Sequence, residues 1–224
     1  GKATQNPTPR GTLARELAFG DNSPNVIYLA RPCQYIKSPI CSKRHWTTAR
    51  FAPEVINAEY EAIKNIVGNN PVILIGFSGG AQVASLVATT KLGLNVKKII
   101  TIAGNLDHLA WTQYHNLPPL NESMNLESYR KQFAKIPQIH YVGSNDEVMP
   151  PILAREFVGN DDLIIEVDGA IIKAGEKFII KSGEKDEKNR MFINFPAFIR
   201  TCFGFRQFDR GDEYQDLYLS SSNL

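Results

Sequence analysis

Ser78 lies in the run Gly76-Phe77-Ser78-Gly79-Gly80, where an apolar, β-branched stretch beginning at Val72 passes directly into an Ala-rich helical pattern. A serine between glycines at a strand-to-helix junction reads as a nucleophile elbow. The small neighbours let the turn close, and the hydroxyl projects above the carboxyl edge of a sheet at a helix N-terminus. The amide of Gly79 would then face an oxygen that gains negative charge during acyl transfer. The same glycine-rich turn could instead cradle a phosphate. A dinucleotide site would need a Gly-x-Gly-x-x-Gly order and an acidic residue near the end of the next strand, and a phosphate loop would need a Gly-Lys-Ser/Thr ending. The chain has neither.

A serine nucleophile needs a base to take its proton and a carboxylate to orient that base. In the chain order serine, acid, histidine, the acid is expected two strands beyond the elbow. There the sequence reads Val142-Gly143-Ser144-Asn145-Asp146, and Asp146 is the candidate, with an ordinary turn or cap aspartate as the alternative. The base should follow the next strand, yet His45, His108, His115 and His140 all precede Asp146. His140 falls within a strand pattern and reads as structural. His108 and His115 follow the strand after the elbow, where they could reach a pocket edge but read more readily as surface or supporting residues.

The elements that would position these groups follow from periodicity. A helical stripe of Leu13, Leu17 and Ala18 opens near Pro7 to Pro9 and stops at Gly20. Asn25 to Arg31 is a short β-rich run ended by Pro32, and a loop carrying Cys33, Cys41, His45 and Trp46 follows. Pro53 to Val67 has apolar residues at helical spacing and closes at Gly68. Lys98 to Ala103, Gln138 to Val142 and Leu163 to Val167 read as further strands separated by helical patterns. Such alternation predicts an α/β protein with a doubly wound, mostly parallel sheet, whose ligands bind at the carboxyl ends of the strands.

The 224 residues, 43% hydrophobic, suffice for one substantial core. A net charge of +2, with basic and acidic residues interspersed, gives no footprint for nucleic acid. No apolar run is long enough to span a membrane, and Gly1-Lys2-Ala3 is not a signal peptide; a chain without an initial Met is expected to come from a longer or processed product. Cys33 and Cys41 are close enough in sequence to close a small loop, and they read equally well as two buried small residues.

The blocks Tyr28 to Tyr35 (YLARPCQY), Cys41 with Trp46-Thr47 and Arg50-Phe51, Gly76 to Gly80, Thr101 to His108 (TIAGNLDH) with Trp111 and His115, and Gly143 to Pro150 together resemble a bacterial family of α/β-hydrolase-fold proteins. The resemblance runs from about Gly1 to Ala170. It implies a Ser-Asp-His triad acting on an ester-like or other acyl bond of a small molecule, with no metal or organic cofactor. Family members often carry an export or lipoprotein signal, which would favour a periplasmic or envelope location and a Cys33–Cys41 disulfide. The resemblance also implies a sheet incomplete at its N-terminus, because a preceding strand and the loop supplying a second oxyanion donor lie before Gly1 in the family.

The C-terminus departs from the pattern. Where the family has a histidine with a Gly-Trp pair close behind it, this chain reads Ala170-Ile171-Ile172-Lys173-Ala174-Gly175-Glu176. Codons compatible with these residues, read one base earlier, can encode that histidine and Gly-Trp pair. The expectation is therefore a core over residues 1–170 and an atypical, out-of-frame extension over 171–224; a divergent extension forming an extra hairpin is the alternative. An impaired serine hydrolase and a non-catalytic remnant or binding protein are the two functional readings that result.

Overall fold

The computed structural model describes Thr8, residues 13–21, Ser23 and residues 25–171. The expected helix opening at Pro7 to Pro9 and the extension beyond Ile171 lie outside the described residues. Helix α1 spans Leu13–Gly20, α2 Pro53–Val67, α3 Gly79–Thr90, α4 His108–Tyr114, α5 Arg130–Phe133 and α6 Pro151–Val158. The strands are β1 (Pro71–Phe77), β2 (Asn95–Ile102), β3 (Gln138–Gly143) and β4 (Ile164–Val167). They form one sheet in the order β1-β2-β3-β4, every pair parallel, with Gly76 opposite Thr101, Thr101 opposite His140 and His140 opposite Ile164.

Alternation along the strands sends side chains to two cores. Leu74 and Ile99 point to one face, where Ile56 and Ile63 of α2, Leu86 of α3 and Phe157 of α6 meet them. Three residues further along their strands, Phe77 and Ile102 point to the other face and pack with Leu13 and Leu17 of α1, Met149 and Ile171. Helices on both faces make the sheet doubly wound.

Helix α2 follows from its sequence. Pro53 occupies the first turn, where a missing N–H costs nothing, and Gly68 at φ 59° ends it. Val55, Ile56, Glu59 and Ile63 form its buried face, and Glu59 is the one charged member.

One strand expectation fails. Asn25 to Arg31 is not part of the sheet, and Val26 and Ile27 are exposed. β-branched composition fits a pleated surface but does not supply a ladder, and among the described strands none pairs with this run.

Candidate active site

The junction between β1 and α3 is held by the packing of Gly76. A Cβ at Gly76 would lie 2.4 Å from the Cα of Ala81 and 2.6 Å from the Gly80 carbonyl oxygen, so strand and helix approach here through bare backbone. Ser78, the residue between them, takes φ 50° and ψ −119°. A side chain at positive φ is strained by about 1–3 kcal/mol unless its surroundings fix it. Here they do. Its N–H donates to the Ile102 carbonyl at 3.0 Å, and its own carbonyl accepts the amides of Ala81 and Asn105, both at 3.1 Å.

The partly exposed Ser78 hydroxyl makes no cap bond to α3 and has no hydrogen-bond partner among the described residues. Gly79 begins α3, whose first amides have no intrahelical acceptor. The edge of the Phe51 ring sits 3.4 Å from where a Gly79 Cβ would be.

Asp146 follows β3, at the same carboxyl edge of the sheet as Ser78. It is 2% exposed. Its Oδ1 accepts the amides of Val148 (3.0 Å) and Met149 (2.8 Å), and its Oδ2 accepts the amide of Ile171 at 3.0 Å, beyond β4. The loops after β3 and β4 are knitted further by Ser144 N–H to Val167 O, Asn145 N–H to Gly169 O, and Gly169 N–H to the Ser144 hydroxyl. The carboxylate is thus anchored in the loop pair that closes the sheet's far edge. Ser78 follows β1 and Asp146 follows β3, with β2 as the strand between them.

Three of the four histidines are held through ring nitrogens by hydrogen-bond partners, and the fourth, His108, is buried with neither ring nitrogen hydrogen-bonded among the described residues. His140 in β3 is buried, with Nδ1 2.7 Å from the Thr101 hydroxyl and Nε2 2.8 Å from Gln138 Oε1. Gln138 donates its amide hydrogens to the carbonyls of Phe133 and Ile136, which leaves its oxygen for the ring. The imidazole therefore carries its proton on Nε2 and accepts at Nδ1. Burial drives its pKa down to about 4. His108 opens α4, buried against Phe51 with ring centroids 5.9 Å apart, and burial lowers its pKa as well. His45 takes the Ser42 amide on Nδ1 and faces Glu54 at 3.6 Å. His115 lies with Nε2 3.1 Å from the Val148 carbonyl oxygen, which also accepts the indole N–H of Trp111 at 2.8 Å.

This shared grip on Val148 ties α4 to the Asp146 loop. It is absent from the sequence reading, where the only hint is an aromatic pair spaced four residues apart. Asp107, part of the TIAGNLDH block, caps α4 by accepting the amides of Leu109 and Ala110. Asn125 bonds both Asp107 and Gln82 of α3. Cys33 and Cys41 are joined by a disulfide with Cα atoms 5.5 Å apart. Among the described residues no three His, Cys, Asp or Glu converge on a metal-sized site, and no helix is long and apolar enough to cross a membrane.

A doubly wound parallel sheet with a serine held at positive φ between a strand and the next helix places the chain in the α/β-hydrolase class. More particularly, it belongs to the family described as serine hydrolase (FSH1), whose model matches residues 41–162, a span that includes Ser78 and Asp146. No curated protein matches the chain. Among solved structures it is similar to one reported with carboxylesterases of the ammonia-oxidizing thaumarchaeon Nitrososphaera gargenis (15% identity, TM-score 0.41, 55% of this chain and 65% of that one). It is also similar to a lipase-esterase related protein from Clostridium acetobutylicum ATCC 824 (15% identity, TM-score 0.37, 52% and 67%). A third is MGS-MChE2, an alpha/beta hydrolase from a metagenome of sediments of the lagoon of Mar Chica, Morocco (21% identity, TM-score 0.38, 50% and 59%). The chain thus spans about two thirds or less of the length of each.

Proposed function

We propose that this chain carries the serine-hydrolase site of a bacterial enzyme that cleaves an ester-like or other acyl bond of a small molecule. Ser78 is the nucleophile, Gly79 an oxyanion donor and Asp146 the orienting carboxylate. The observation that carries the reading is the backbone of Ser78, held at φ 50° by hydrogen bonds from β2 and the loop after it, with Gly76 bare against Ala81.

In this scheme the Ser78 oxygen bonds to the substrate's carbonyl carbon. Negative charge collects on the carbonyl oxygen beside the Gly79 amide, and the alcohol leaves with the serine's proton. Water then cleaves the acyl-serine, releasing the acid and restoring the hydroxyl. With every histidine ahead of Asp146 in the chain, the proton has no imidazole to receive it by the usual order, and turnover is expected to be on the order of a thousandfold or more below that of a complete triad. The Cys33–Cys41 disulfide supports an oxidising compartment, the periplasm or cell envelope.

A second reading, a non-catalytic remnant or binding protein on the same fold, is favoured by the place of all four histidines ahead of Asp146 in the chain and by the hydrogen-bond partners that hold the rings of His45, His115 and His140. A fluorophosphonate probe separates the two. Labelling at Ser78 that disappears in Ser78→Ala is the result expected of a hydrolase, and an unlabelled, folded wild type selects the remnant.

A further inference from the structure

The disulfide between Cys33 and Cys41 closes a ring whose far side is a run of exposed residues, Ile36-Lys37-Ser38-Pro39-Ile40. Its two isoleucines, Ile36 and Ile40, are 52% and 81% exposed. The amide of Cys41 donates to the Ser38 carbonyl at 2.9 Å, which makes Pro39 and Ile40 the two central residues of a tight turn. Pro39 suits the first of these places, because its φ is already set for it. Ile40 does not suit the second, where short polar residues or glycine are the usual occupants and an outward-facing β-branched side chain gains no packing. The Ile36 carbonyl oxygen lies 3.9 Å from Cys41 Sγ, so the backbone of Ile36 returns beside the residue that follows Ile40. Two large apolar side chains are thus presented to solvent from one small, cross-linked loop.

The charge along this stretch has one sign. Between Asp21 and Glu54 the chain has five basic residues and no acidic one. Two carboxylates reach it from outside, Glu54 at 2.8 Å and Glu122 at 2.6 Å, and both are taken up by Arg44. Lys37 and Lys43 are exposed and take part in no ion pair among the described residues. The Lys37 Nζ lies 5.8 Å from the centroid of the Trp46 ring, so the loop stands beside the short helical turn Lys43–Trp46 that carries the second lysine.

A single exposed isoleucine is ordinary on a protein surface. Two on one constrained loop, with unpaired lysines and a tryptophan beside them, have the composition that settles at the boundary between lipid headgroups and acyl chains. There the apolar ends leave water, while the ammonium groups meet anionic headgroups, and each basic residue held near such a surface strengthens attachment. The cross-link reduces the ordering that insertion would otherwise require. A second copy of this loop is the poorer occupant, because it would set lysine against lysine.

We propose that the Cys33–Cys41 loop docks the protein on the surface of an anionic phospholipid bilayer, with Ile36 and Ile40 inserted and Lys37 and Lys43 at the headgroups. The contact is peripheral, and among the described residues no helix is long and apolar enough to cross the membrane. Docking is independent of the reading of Ser78.

The test is co-sedimentation of the full chain with vesicles made of equal parts phosphatidylcholine and phosphatidylglycerol, and with vesicles of phosphatidylcholine alone. The protein is expected to partition onto the mixed vesicles roughly tenfold or more strongly. The double variant Ile36→Ser with Ile40→Ser, checked for native circular dichroism, is expected to lose roughly tenfold in partitioning, and Lys37→Gln with Lys43→Gln to lose most of the preference for the mixed vesicles. Leu92, 92% exposed in the turn between α3 and β2, supplies the control, and Leu92→Ser is expected to change nothing. Brominated phospholipid is expected to quench Ile40→Trp more than the wild type. No binding to the mixed vesicles, equal binding to both kinds, unchanged binding of the folded isoleucine variant, or an equal loss in Leu92→Ser overturns the proposal. If the isoleucine variant does not fold, the quenching of Ile40→Trp decides, and quenching no greater than in the wild type overturns it.

Discussion

At the scale of single residues, the carboxylate of Asp146 marks where a base would have to stand. Its Oδ2 takes the backbone amide of Ile171, the residue at which the loop after β4 crosses the carboxyl edge of the sheet. Ile171 itself is 1% exposed and packs with Ile102 and Met149. In the proposed triad this is the position an imidazole would enter. Ile171→His is therefore expected to raise the rate of fluorophosphonate labelling of Ser78 at least tenfold, since general-base help commonly contributes about 10²–10⁴-fold. Ile171→Ala serves as the control for loss of packing, and an unchanged labelling rate in a folded Ile171→His chain would place the base elsewhere. The two glycines that flank the elbow also differ in what they do. A Cβ at Gly76 would run into backbone, whereas one at Gly80 would meet nothing within 4 Å. Gly76→Ala is expected to cost about 3 kcal/mol and Gly80→Ala to be neutral or to stabilise by about 0.5 kcal/mol, read as urea midpoints. The sequence pattern treats the pair alike because it records residue type and spacing, while the difference lies in how closely Ala81 approaches.

At the scale of elements, what the sequence reveals depends on whether an element carries its own boundary signals. Helix α2 is legible to the residue because Pro53 and Gly68 are local instructions. The strand β2 begins at Asn95 rather than the Lys98 expected, because the ladder to β1 continues through Asn95 and Val96, opposite Pro71 and Val72, where no apolar run announces it. Asn25 to Arg31 shows the converse: composition suited to a strand, with no described strand beside it to make one. The candidate site divides in the same way. Ser78 is a candidate because it sits in a contiguous motif, and Asp146 is a candidate from chain order. The grip of Trp111 and His115 on Val148, and the seat of Arg31 over the Phe51 ring, join residues far apart in sequence, which local pattern does not record. The Cys33–Cys41 pairing was likewise undecided by spacing alone.

At the scale of the whole molecule, two buried groups set opposite pH responses. His140 has a pKa of about 4 in the fold against an ordinary 6.5, so the unfolded chain gains a proton that the fold refuses, and stability falls as pH drops from 6.5 towards 4. Glu59 is raised from 4.5 to about 7, so the fold holds a proton that the unfolded chain has lost, and the stability present at low pH is lost as pH rises through 7. Each effect is on the order of 3 kcal/mol, and they oppose each other between pH 4.5 and 6.5. The urea midpoint of the wild type is expected to be nearly level across that interval. In Glu59→Gln, where only the histidine limb remains, it should climb steadily from pH 4.5 to 6.5; a level profile in the variant would show that Glu59 is not the opposing group.

The indole of Trp111 donates its hydrogen to the segment that carries Asp146, and the chain holds only one other tryptophan, Trp46. The protein therefore contains its own optical gauge. With Trp46→Phe to silence the second fluorophore, the emission of Trp111 follows the posture of the acidic loop in real time, whether or not any substrate is ever turned over.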